Sequence, residues 1–167
     1  VLSCVVLGSG DMGRKAVEAL LERDVGVTVV SRQPERAIDR FGSLAEHVDF
    51  IDFERWTNAP PTASLVISTL RVAQPAYGPE RPLPTQAPLT VMDFSWPPSI
   101  DEGGLHEGQV LQGMNHWIQQ AHGLEAAIDR PALLDKAKLE LAKIETQLDH
   151  QLTAASQSDF RSLVHHT

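Results

Sequence analysis

Short apolar runs alternate with amphipathic stretches through the first two thirds of the chain, and the spacing changes in the last third. Cys4–Leu7 is a continuous apolar run, and Val25–Val30 a valine-rich one interrupted by Gly26 and Thr28, both of strand length. Between them, Arg14–Arg23 places Ala16, Val17, Leu20 and Leu21 on one helical face. The same alternation continues downstream. Pro34–Phe41 predicts a short helix ending near Gly42, His47–Phe50 a short strand, and Asp52–Trp56 a helical turn. Ala63–Thr69 and Leu89–Ser95 read as buried strands, the second stopped by Trp96-Pro97-Pro98, and Gln109–Leu111 as a last edge strand. Repeated strand–helix units of this length predict an α/β fold of the Rossmann type, a mostly parallel sheet with helices on both faces. Residues Arg71–Pro88 carry Pro75, Pro79, Pro82, Pro84 and Pro88 and read as a long loop.

The last third is helical in pattern. Asn115–Ile128 reads as a helix with an internal Gly123, and Pro131 stands where another begins. From there Leu134, Ala137, Leu141, Ile144 and Leu148 recur at threes and fours, with Lys136, Lys138, Glu140, Lys143 and Glu145 on the other faces. Such a stripe either packs back on its own sheet or pairs with a second copy. The expectation is a homodimer through these C-terminal helices, giving a cofactor-type domain over residues 1–114 and a helical region over 115–167.

Composition narrows the picture. The 167 residues suffice for one domain with a helical appendage, and 42% hydrophobic content supplies a core. No apolar stretch approaches a membrane span. A net charge of −8 argues against direct nucleic-acid binding by this segment, which would need clustered lysine and arginine. Cys4 is the sole cysteine and sits in the first apolar run, so it forms no internal disulfide and is expected in the core. With no signal-peptide pattern, the cytoplasm is the default expectation. The chain begins on valine, as expected of a processed chain or a piece of a longer one.

The candidate chemistry lies at the first strand. Val5–Leu7 runs into Gly8-Ser9-Gly10-Asp11-Met12-Gly13, a G-x-G-x-x-G turn between a strand and a helix. Gly8 permits the tight turn, Gly10 removes a side chain that would block a pyrophosphate, and Gly13 lets the helix lie close to the sheet. The helix N-terminus then offers N–H groups and a positive dipole end to phosphate. The second strand ends at Ser31-Arg32, where an NAD site usually holds a carboxylate for the ribose hydroxyls. A hydroxyl and a guanidinium there suit a 2′-phosphate, so the expected cofactor is NADP, with Arg36 one turn into the next helix as a further contact.

Other constellations are thin. His47 and His106 are isolated, His116, His122 and His150 are scattered, and His165-His166 closes the chain without metal-ligand spacing, so no metal site is expected. Asp101, Glu102 and Glu107 read as a solvated acidic loop. Tyr77 in the proline-rich loop, and Asn115 or His116, are weaker candidates for contact with substrate.

Four stretches carry a family resemblance: VVLGSGDMG (5–13), VVSRQPERA (29–37), LVISTL (65–70) and VMDFSWPPSID (91–101), with VLQGMNHW (110–117) following the sheet. Together they resemble the NADPH-binding domain of glutamyl-tRNA reductases extended into the start of that family's dimerisation helices. The related nicotinamide domain of the shikimate dehydrogenases is a more distant match. The resemblance implies a place in tetrapyrrole biosynthesis. It also implies that Ser9 to Met12 cradle the pyrophosphate, that Ser31 and Arg32 meet the 2′-phosphate, and that Ser68 and Thr69 lie at the nicotinamide end. Asp93 is either a contact on that side or, on the residues alone, the group that caps or orients the Trp96-Pro97-Pro98 turn; the pattern of the proline-rich loop, not the resemblance, makes it a candidate lid over the nicotinamide.

The chain departs from that family in several places. Its nucleophilic cysteine belongs to a separate N-terminal domain, which nothing here matches; Cys4 is not that residue. Pro98 replaces a usual arginine, Asn115-His116 an acidic pair, and the Arg71–Pro88 loop is longer. These changes point to a divergent relative. The leading expectation is an NADPH-dependent reductase of this type, or its cofactor domain, transferring hydride to a carbonyl or activated acyl group and dependent on a catalytic partner domain or subunit. The alternatives are a stand-alone reductase of a small specialised metabolite and a non-enzymatic NADP-binding scaffold.

Overall fold

Each apolar run of the first two thirds becomes a strand. The computed structural model describes residues 2–114, 117 and 142–154. Its strands are β1 (Ser3–Leu7), β2 (Gly26–Val30), β3 (Val48–Ile51), β4 (Leu65–Ser68), β5 (Leu89–Asp93) and β6 (Gln109–Gly113). Three helices separate the early strands: α1 (Asp11–Glu22), α2 (Pro34–Phe41) and α3 (Phe53–Asn58). Pro34 opens α2, where its missing N–H costs nothing, and Asp52 caps α3 by accepting from the Arg55 amide at 2.8 Å.

The sheet order is β3-β2-β1-β4-β5-β6, and all five pairings are parallel. The chain steps outward from β1 to β2 and β3, then returns to β4 on the other side of β1. The strand order therefore reverses between β1 and β4, and their carboxyl ends, Leu7 and Ser68, stand side by side in register. In doubly wound sheets that reversal opens a crevice for ligands.

Strand alternation sorts the core onto two faces. On one, Val5, Leu7, Val30, Ile51, Val66 and Val91 pack with Trp56 of α3 and with Tyr77, Leu83 and Ile100 from the later loops. On the other lie Val6, Val29, Ile67 and Met92, all fully buried, while α1 lies against β1 and β2 and buries Ala16, Val17 and Leu20. Cys4 is in this core as expected, and burial pushes its thiol pKa up, so it is not a nucleophile.

The proline-rich stretch corrects one expectation. It has little regular structure, yet it is not a free lid. Tyr77 and Leu83 are buried, and the amides of Ala76 and Tyr77 donate to the Ser99 carbonyl at 2.7 and 3.2 Å. The Trp56 indole N–H donates to the Tyr77 hydroxyl at 3.0 Å inside the core. Gln109 donates to the carbonyls of Thr85 and Ala87, and His106 Nε2 lies 2.8 Å from the Leu83 carbonyl. The segment is a crossover between β4 and β5, fastened by side chains because its prolines remove the N–H groups a helix would need.

Contact clustering divides the chain into two units, Val1–Ile118 and Gln119–Thr167. Residues 142–154 are helical. Within that stretch Ile144 and Leu148 are buried within the single chain, whereas Leu134, Ala137 and Leu141 of the predicted stripe lie outside the described residues. So do Asn115 and His116.

Candidate nucleotide-binding site

The three glycines of the first turn do different things. Gly8 has φ +104°, a conformation favouring glycine, and its amide donates to the Val30 carbonyl at 3.0 Å. A Cβ there would meet Thr69 Oγ1 at 2.6 Å. Gly13 lies against the Gly8 carbonyl so closely that no Cβ fits. Both are demanded by the chain's own packing. Gly10 is not: a Cβ built on it meets no described atom within 4 Å. Open space at the N-cap of α1 is what a phosphate would need, because the first N–H groups of a helix have no intrahelical acceptor. Met12 is half-buried in this first turn, and Asp11 is exposed there. Any anion contact from Asp11 would come through its backbone N–H, since its carboxylate repels phosphate.

The neighbouring loop is tied to this turn. Ser9 Oγ and Ser31 Oγ lie 2.9 Å apart, and the Gln33 amide donates to Ser31 Oγ at 3.3 Å. When Ser9 is the donor, the Ser31 proton remains for a ligand. Arg32 and Arg36 are exposed beside it. The end of β2 carries no carboxylate, as the sequence predicts. One residue escaped that reading: Arg40, at the end of α2, donates from Nη1 to the Ser9 carbonyl at 3.3 Å.

Ser68, Thr69 and Asp93 are brought to the carboxyl ends of β4 and β5, but their side chains are already engaged. Asp93 is buried. Its Oδ1 accepts from the Ser95 amide at 3.1 Å and from Ser99 Oγ at 2.8 Å, and its Oδ2 accepts from the amides of Ser99 at 2.8 Å and Ile100 at 3.0 Å. A carboxylate only accepts, so Ser99 spends its proton on Asp93. The Ser68 hydroxyl, 2.7 Å from Ser99 Oγ, must then be the donor in that pair. The result is a closed chain Ser68–Ser99–Asp93 that folds the Trp96-Pro97-Pro98 turn back onto the sheet, the orienting role foreseen for Asp93. Ser99 carried no signal in the sequence. Thr69 ties the end of β4 to that of β1: its N–H and its hydroxyl both donate to the Leu7 carbonyl, at 2.8 and 2.9 Å.

Burial of the Tyr77 hydroxyl raises its pKa, opposed by the Trp56 hydrogen bond and by Arg81, whose guanidinium stands 5.6 Å above the ring. Tyr77 is a structural anchor. Among the described residues, no group of three metal-binding side chains occurs and no helix is long and apolar enough to cross a membrane.

Comparison with known proteins adds a family. The model of the shikimate/quinate 5-dehydrogenase family matches residues 2–112, from the start of β1 into β6. The chain belongs to that family. The match leaves the C-terminal unit outside it. A glutamyl-tRNA reductase from Salinibacter ruber is 34% identical over 125 residues, covering 70% of this chain and 25% of that protein. The chain thus spans about a quarter of the length of this curated relative.

Solved structures agree on the fold. Glutamyl-tRNA reductase from Methanopyrus kandleri superposes with TM-score 0.53 at 19% identity, covering 94% of this chain and 39% of that one. The nucleotide-binding domain of the Thermoplasma volcanium enzyme gives TM-score 0.50 at 12% identity, covering 74% and 83%. A transhydrogenase from Sinorhizobium meliloti gives 0.50 at 21%, covering 89% and 45%. At such identities the likeness is one of fold. The matching family model is that of the more distant resemblance, and the leading one holds as relatedness: the chain is similar to glutamyl-tRNA reductases in sequence and in fold.

Proposed function

We propose that this member of the shikimate/quinate 5-dehydrogenase family binds NADPH at the Gly8–Gly13 turn and serves as the cofactor domain of a reductase of the glutamyl-tRNA reductase type. The observation that carries this reading is the open Gly10 position beside a β2 end that offers Ser31 and Arg32 and no carboxylate. The residues present fit the dinucleotide. The N–H groups at the start of α1 would face its pyrophosphate, and Ser31, Arg32 and Arg36 its 2′-phosphate. When bound, the cofactor supplies the hydride. The protein's part is to fix its orientation at the β1–β4 crevice, where Thr69 and the Ser68–Ser99–Asp93 chain keep the strand ends rigid. The carbonyl or activated acyl substrate, and the nucleophile that activates it, are proposed to come from a partner domain or subunit, since no described side chain at this edge is placed as one.

A turnover experiment separates this reading from its rivals. NADPH binding is measured by titration, and its oxidation at 340 nm is followed with small aldehydes and with the cysteine-bearing domain of a glutamyl-tRNA reductase. Binding, with oxidation only in the presence of that domain and its substrate, is the expected result. Oxidation by this chain alone favours a stand-alone reductase of a small metabolite. Binding without turnover in either case favours a scaffold, and no binding overturns the reading.

A further inference from the structure

Arg40 lies one helical turn beyond Arg36 on α2, so the two share a face of that helix. The bond from Arg40 Nη1 to the Ser9 carbonyl shows which way this face looks: towards the phosphate-binding turn. Like charges four residues apart weaken a helix, and neither guanidinium, nor that of Arg32, has a described carboxylate within 4.0 Å, the distance at which Arg23 meets Glu22. In a chain with 22 acidic and 14 basic residues, these three arginines are without acidic partners among the described residues.

Arg40 differs from the other two in what it already holds. It is fastened to the turn's backbone, whereas Arg32 and Arg36 are exposed. Ser9 is thereby gripped twice: its carbonyl by Arg40 from the end of α2, and its hydroxyl by Ser31 from the end of β2. On either side of Ser9 the turn is held by backbone alone, the Gly8 amide donating to the Val30 carbonyl at 3.0 Å and the Gly10 carbonyl accepting from the Arg14 amide at 2.9 Å. Ser9 is where side chains from the ends of β2 and α2 add to that hold.

We propose that Arg40 is a positioning residue for the phosphate-binding turn, bracing the Ser9 carbonyl so that the N–H groups at the start of α1 meet the pyrophosphate of NADPH and NADH alike. The inference rests on the proposed nicotinamide-nucleotide site and adds a residue to it. Its signature is loss without discrimination. A residue acting on the 2′-phosphate changes the preference between the cofactors, whereas a brace on the shared pyrophosphate site lowers both affinities by the same factor.

The test is calorimetric titration of wild type, Arg40→Leu and Arg40→Lys with NADPH and with NADH, with thermal unfolding of each free protein as a control for folding. Arg40→Leu is expected to weaken both cofactors about three- to tenfold, the scale of one ordinary hydrogen bond, since a brace acts through the turn and not on the ligand, and to leave their ratio unchanged. Arg40→Lys is expected to recover part of the loss, since one N–H suffices for one carbonyl. A loss confined to NADPH overturns the brace and makes Arg40 a 2′-phosphate ligand. Unchanged affinities overturn it while leaving the site itself standing. Failure of the wild type to bind either cofactor overturns both the site and the brace.

Discussion

The carboxyl edge of the sheet is built in two styles. On the β1–β2 side, the turn after Leu7 is open at Gly10, Ser9 and Ser31 are bridged to one another, and Arg32, Arg36 and Arg40 have no acidic partner among the described residues. On the β4–β5 side, Asp93 accepts four hydrogen bonds, Ser68 and Ser99 complete the chain, and Trp56 holds Tyr77 beneath them. One side leaves donors unspent at the proposed ligand site; the other spends most of them internally, the buried Ser95 hydroxyl being left without a partner among the described residues. Buried polar groups are costly unless paired, so the pairing around Asp93 makes the second side the more rigid of the two. Substitutions on the two sides should separate stability from affinity.

The largest effect is expected from the sealed side. Trp56→Ala removes a fully buried indole and leaves the Tyr77 hydroxyl without its donor, which should cost about 3–5 kcal/mol in urea unfolding. A cost below about 1 kcal/mol would mean that the proline-rich crossover is not anchored there. Asp93→Asn comes next. The amide presents N–H groups to donors that now point at a carboxylate, and a loss of about 2–3 kcal/mol is expected. Should Asp93→Asn keep full stability while cofactor affinity falls, Asp93 would belong to the open side instead.

The glycines carry the comparison into a single turn. Gly8→Ala and Gly13→Ala should each destabilise by about 1–3 kcal/mol, because one needs a positive φ and the other has no room for a Cβ. Gly10→Ala should change stability by about 0.5 kcal/mol or less, since the space is free and φ is −79°. Its affinity for a dinucleotide should nevertheless drop, as measured by titration beside chemical unfolding. Equal stability losses at all three glycines would show that the open position is an ordinary packing site.

The open side was the more legible in the sequence. Its features are local: an apolar run, a glycine spacing and the residues at a strand end, each read within about ten positions. The mostly parallel sheet followed from the same alternation, whereas the strand order comes from the structure. The sealed side depends on long-range placement. Ser99 meets Ser68 only because β4 and β5 pair and the Trp96-Pro97-Pro98 turn folds back, a contact between residues 31 apart. The proline-rich stretch read as a long loop and a candidate lid because prolines signal loops. Tyr77 and Leu83, the residues that bury it, have no periodicity to reveal them. Arg40 was missed for the same reason, since its partner Ser9 is also 31 residues away. The helical pattern of the last third falls mostly outside the described residues.

The central claim is that the open side is an NADPH site selected at the end of β2, and the most direct test is titration of wild type and Arg32→Ala with NADPH and NADH. Wild type should prefer NADPH. Arg32→Ala should lose about 1.5–3 kcal/mol of NADPH affinity, the worth of one hydrogen bond to a charged group, with little change for NADH. Equal affinity of the wild type for the two cofactors, or an unchanged NADPH affinity in the variant, would contradict the account.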